Sequence, residues 1–137
     1  MAIRVHSEAD LPWRRIGDIP MGWMRDHIDP SELAGQLCFH EAGDELNMQL
    51  MEMRLDPNTL IAPHAHDDDE IFYIVEGALR WGDQQLTAGG SLYIPAGTTY
   101  SFHTGPEPAR LLNFRARADH SFHPANKREH LGNERRA

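Results

Sequence analysis

The sequence predicts an all-β fold of antiparallel strands, a sandwich or barrel, on three observations. From Glu45 onward, short apolar runs alternate with turn residues, which is how stacked strands read. Helical periodicity is weak almost everywhere. Its one candidate is "DPSELAGQL", where Asp29 is placed to cap and Pro30 to open a turn, and a loop with one helical turn is an equal reading. The links between runs are also too short for the crossovers that parallel neighbours need.

The elements follow in order. Residues 1–44 read as an N-terminal arm whose Trp13, Met21, Trp23 and Met24 pack on the barrel or on a partner subunit. "LNMQLMEMRL" is a methionine-rich strand, broken by "DPN" and followed by the extended "TLIAPHAH". Met48, Leu50 and Glu52 share one face of that first strand, and Gln49, Met51 and Met53 the other. The pattern leaves open which set lines the interior. "EIFYIVEG" is the best strand, β-branched and aromatic, and "ALRWGDQQL" is a hairpin around Gly82-Asp83. "SLYIPAG", "TYSFHTG" and "ARLLNFRA" complete residues 45–118, and residues 119–137 read as a loose polar tail. No internal repeat is visible.

Composition bounds the function. A chain of 137 residues, 40% of them hydrophobic, is enough for one domain with one core. The net charge of -8 repels nucleic acid and anionic membranes, and the basic run Lys127–Arg136 is too short to reverse that. Cys38 is the sole cysteine, so no disulfide forms within the chain, which fits a reducing compartment. "MAIRVHSEAD" shows no secretory signal, and the longest apolar run, "IFYIV", is too short to cross a bilayer. The expectation is a soluble cytoplasmic protein.

The chemistry concentrates in "PHAHDDDEIFYIVEG". His64 and His66 lie two apart in an extended segment and project to one face. If Asp67 to Asp69 make a turn, Glu70 returns beside them, and Phe72 and Ile74 face inward with it. Two histidines and a carboxylate with open positions form the facial set of non-haem iron oxygenases, and zinc, manganese or nickel would accept the same ligands. Asp67 to Asp69 themselves read as a solvated acidic loop. His40, beside Cys38, reads as a satisfied structural histidine; His6, His27, His120, His123 and His130 sit in arms and tails without a role.

On these residues the chain resembles a small single-domain cupin. The family's first motif is glycine, five residues, His-x-His, three or four residues, glutamate, six residues, glycine. Here Asn58, His64, His66, Glu70 and Gly77 stand at those places, and asparagine is a residue able to hold a glycine-like backbone. The second motif is glycine, five residues, Pro-x-Gly, two residues, histidine. Gly89, Pro95 and Gly97 match it, but the histidine position holds Tyr100. The resemblance implies a jelly-roll β-barrel, a divalent metal on His64, His66 and Glu70, and a homodimer.

Tyr100 is the departure that matters, and three accounts stay open. It ligates as a phenolate or bonds a metal-bound water; His103 replaces the missing ligand; or the phenol fills an empty site. Alternation sets His103 on the opposite side unless a bulge intervenes. The resulting expectation is a metal-dependent, dioxygenase-like enzyme on a small organic molecule, with Tyr100 as the catalytic proton donor. The alternatives are a metal-dependent isomerase or lyase and a small-ligand binding or sensing module.

Overall fold

Alternating burial along the runs builds two facing sheets. The computed structural model describes residues 2–125. The strands are β1 (Arg14–Arg15), β2 (Gln36–Glu41), β3 (Gln49–Leu55), β4 (Leu60–Ala65), β5 (Glu70–Glu76), β6 (Ala78–Trp81), β7 (Gln84–Thr87), β8 (Ser91–Ile94), β9 (Tyr100–Thr104), β10 (Ala109–Arg115) and β11 (His123–Pro124). One sheet runs β1-β2-β3-β10-β5-β8 and the other β11-β4-β9-β6-β7. The pairings are antiparallel throughout.

The jelly-roll expectation is met as a two-layer sandwich, because the sheets do not close into a barrel. Two of the outer strands, β1 and β11, are only two residues long, too short to bridge from one layer to the other. Inside lie Leu55 and Met53 of β3, Phe72 and Ile74 of β5, Leu79 of β6, Phe102 of β9 and Leu111 of β10. Fully burying such a side chain stabilises by about 1.5–3 kcal/mol. The inner set of β3 is therefore Gln49, Met51 and Met53. Glu52 points outward yet is buried, held by His40 Nε2 at 2.9 Å and Arg110 Nε at 2.5 Å.

The first 44 residues contribute β1 and β2 to the larger sheet, joined by short 3-10 turns. Ile16 enters the core, Met21 packs against it, and Arg54 stacks on Trp13 at 4.0 Å. Trp23 stays largely exposed. The helical stretch is the single 3-10 turn Glu32–Ala34, preceded by Asp29 accepting from the Ser31 backbone at 3.0 Å.

Two backbone positions frame the fold. Asn58 takes the left-handed conformation with φ 58 and donates its N–H to Gly105 at 3.0 Å, so the asparagine does serve where the family has glycine. At Gly77, φ is 81 and an added Cβ would lie 2.3 Å from the Pro108 carbonyl oxygen, which admits only glycine. Among the described residues no helix is long and apolar enough to cross a membrane. The basic run Lys127–Arg136 and His130 lie outside the described residues.

Candidate metal centre

A bulge in β4 builds one wall. Ile61 stands opposite Phe102 and His64 opposite Tyr100, so three steps on β4 face two on β9. The extra residue falls at Ala62-Pro63, and a bulge is where a strand tolerates proline. The shift turns both Ile61 and His64 inward although their separation is odd. His66 follows at the strand end, its ring 4.8 Å from that of His64 and nearly perpendicular to it.

Both imidazoles are fixed in one tautomer. His64 Nδ1 lies 2.7 Å from the Ala62 carbonyl and His66 Nδ1 lies 2.5 Å from the Ser121 carbonyl. A carbonyl only accepts, so each Nδ1 carries the proton and each Nε2 keeps a free lone pair. Burial pushes His64 down to about 4, against the opposing pull of the Ala62 carbonyl. His66 is lowered too, by burial first and by the charge of Arg115 second. Both rings are thus neutral at pH 7, the form that ligates metals.

Glu70 opens β5 and is buried. Its Oε2 accepts from Asn113 Nδ2 at 2.9 Å and from Arg115 Nη2 and Nε at 2.8 and 3.1 Å. Its Oε1 is buried with no hydrogen-bonding partner. Tyr100 lies inside as well, its ring 4.5 Å from His64 and stacked between Trp81 and Phe102. Burial first, then the charge and nearness of Glu70, raise the phenol well above its ordinary value. The hydroxyl approaches Glu70 without closing a hydrogen bond to Oε1. Tyr100 is therefore a neutral phenol and not a phenolate. His103 is exposed on the opposite face of β9, while Tyr100, Phe102 and Thr104 face inward.

Asp67 and Asp69 are exposed, as a solvated acidic loop should be, yet Asp67, Asp68 and Asp69 also bond His123, Arg117 and the Tyr93 hydroxyl respectively. Residues 119–124 depart from the expected loose tail. They cross the mouth, with β11 paired to β4 and Phe122 stacked on His64 at 5.1 Å. Sequence reasoning missed Asn113, Arg115, Ser121 and Phe122. The first two had a signal, since they continue the inward period of Leu111 in an otherwise apolar strand. Ser121 and Phe122 had none.

The Cupin domain profile matches residues 51–115. The chain is a small cupin-domain protein. This cupin is 29% identical over 91 residues to an uncharacterised protein of Streptomyces coelicolor, covering 64% of this chain and 87% of that one. It is 38% identical over 73 residues to an acireductone dioxygenase of Parvibaculum lavamentivorans, covering 45% of this chain but only 36% of that one. Among solved structures, the polyketide cyclase RemF from Streptomyces resistomycificus matches with TM-score 0.64 and 21% identity over 92% of this chain and 87% of that one. That last likeness shows the fold alone.

The donors of this cupin fit a divalent ion. Two imidazole Nε2 lone pairs and the orphaned Oε1 of Glu70 are free, while every other polar atom of those three side chains is engaged. Held carboxylates and pinned imidazoles are the usual support of metal ligands. Among the described residues no three His, Cys, Asp or Glu side chains are grouped closely enough, as they stand, to hold a metal ion.

Proposed function

We propose that this cupin is a metal-dependent enzyme acting on a small organic molecule in a dioxygenase-like reaction. The observation that carries the reading is the buried, unpartnered Oε1 of Glu70 beside two histidines whose Nε2 atoms are free. A buried carboxylate oxygen without a partner is costly; Arg115 balances the charge through Oε2, and an ion shared with the two imidazoles would satisfy Oε1. His64, His66 and Glu70 would hold the ion, whose chemistry is to bind and polarise an oxygen-bearing substrate and leave room for dioxygen. Arg115 and Asn113 fix Glu70, and Phe72 and Trp81 pack against the Tyr100 ring. Tyr100, a neutral phenol, donates its proton to an oxygen of the bound substrate. The match to part of an acireductone dioxygenase supports the oxygenase class.

The same phenol would serve an isomerase or lyase that needs no oxygen. Oxygen uptake by iron-, nickel- or manganese-loaded protein with diketones, enols and thiols separates the two. Uptake dependent on both metal and substrate supports the dioxygenase reading; product formation without uptake replaces it with isomerisation. A cytoplasmic location, in which buried Cys38 stays a free thiol, and pairing with a second copy belong to the same proposal.

A further inference from the structure

Asp119 braces its own stretch of chain and ties it to the distant loop that carries Asp68. Its Oδ1 accepts from the Ser121 backbone at 2.8 Å, its Oδ2 from the Asp68 backbone at 2.9 Å, and its carbonyl from Arg115 Nη1 at 3.0 Å. Beyond it, Ser121 Oγ accepts from the Asp67 backbone at 2.7 Å. That pins the short strap of residues 119–124 across the mouth. The strap in turn supplies the Ser121 carbonyl that takes the His66 Nδ1 proton and the Phe122 ring that lies on His64 at 20°. Arg115, held by the carbonyl of Asp119, is also the cation that grips Glu70.

We propose that Asp119 is a positioning residue: it buckles residues 119–122 over the mouth so that the Ser121 carbonyl holds His66 in the tautomer whose Nε2 is free. A strap that merely covered the sandwich would need its ring and its length, but no single carbonyl aimed at one imidazole nitrogen. Among the described residues the Ser121 carbonyl is the hydrogen-bonding partner of His66, while its ring also packs near His64 and Tyr100, so the strap decides which nitrogen holds the proton. His64 differs, since its Nδ1 partner is two residues away in its own strand. Loosening the strap should therefore free one histidine and leave the other in place.

The inference rests on the metal reading for its consequence but not for its test. Full-length protein labelled with 15N-histidine should show a protected His66 Nδ1–H resonance. Asp119→Ala should abolish that resonance, keep the one from His64, and weaken zinc binding about 10–100-fold, the usual cost of removing an outer partner of a ligand. Asp119→Asn keeps one of the two acceptor oxygens and sets an NH2 donor against the other backbone N–H, so it should recover only part of the resonance. Ser121→Ala, which spares the carbonyl and removes only the Oγ latch, should give a smaller effect in the same direction. A His66 resonance unchanged in Asp119→Ala, with zinc affinity within about twofold, would overturn the proposal. If the unaltered protein takes up no zinc yet the resonance still depends on Asp119, the positioning role stands and the metal reading fails.

Discussion

At the scale of single residues the account turns on what Tyr100 and His64 do in a dry interior. Tyr100 holds its proton in the metal-free protein because burial and the Glu70 charge both disfavour the phenolate, which suits the proposed role of proton donor. Tyr100→Phe should keep metal content unchanged while lowering turnover of the eventual substrate by roughly 100-fold or more. A parallel loss of metal would make the phenol part of the metal shell. His64 gives a test in acid. Its folded pKa of about 4 lies below the unbound 6.5, so the unfolded chain takes up more protons between those values. Stability of the metal-free protein is then full above pH 6.5 and falls as the pH drops toward 4, by on the order of 3 kcal/mol. Glu32 has the opposite sign: burial raises its carboxyl to about 7, and its contribution is lost as the pH rises through that value. Comparing urea melts of the protein and of His64→Gln across pH 4 to 6.5 isolates the imidazole, and equal slopes would refute its burial as a neutral ring.

At the scale of elements, local rules explain why some of the site could be read and some could not. The placing of His64, His66 and Glu70 near one another was legible because a two-residue spacing and a strand start fix direction without tertiary knowledge. Asn58 was legible because it stands at the glycine of the family motif and asparagine tolerates a left-handed backbone. Replacing it with glycine should leave stability near that of the parent, whereas Asn58→Ala should cost about 1–2 kcal/mol in chemical denaturation. An Asn58→Ala variant as stable as the parent would mean that φ 58 is not held in solution. Arg115 and Asn113 were half legible, since polar residues at inward positions of an apolar strand demand partners, but the partners lie across the sheet on β5. Phe122 and Ser121 were not legible. A polar segment with one phenylalanine reads as a tail, and only the register of β11 against β4 brings it over the histidines. The aspartate triplet is solvated as its sequence implies, but its partners Arg117, His123 and Tyr93 come from distant parts of the chain and were not legible.

For the whole molecule, the strands from Gln49 to Arg115 and their antiparallel sense were legible, while β1 and β2 in the arm, β11 in the tail and closure were not, because alternation sets the face of a strand and says nothing of which edges meet. The outer face of the larger sheet bears on assembly. Register aligns Leu50, Phe114, Ile71 and Tyr93 in one row across four strands, with Ile71, Phe114 and Tyr93 exposed. Ile3 and Val5 are exposed as well, in a segment tethered to the same sheet where Arg4 and His6 bond Glu41. An unpartnered apolar face and an unpartnered apolar segment in one chain suit an isologous pair. Light scattering should give a dimer that Ile71→Glu dissociates, and a monomeric parent would rule the pairing out. The central claim is the metal, and its most direct test is elemental analysis of purified, metal-loaded protein beside His64→Ala and Glu70→Gln. The account predicts about one divalent ion per chain in the parent and a loss of most of it in both variants; equal metal content in all three would contradict it.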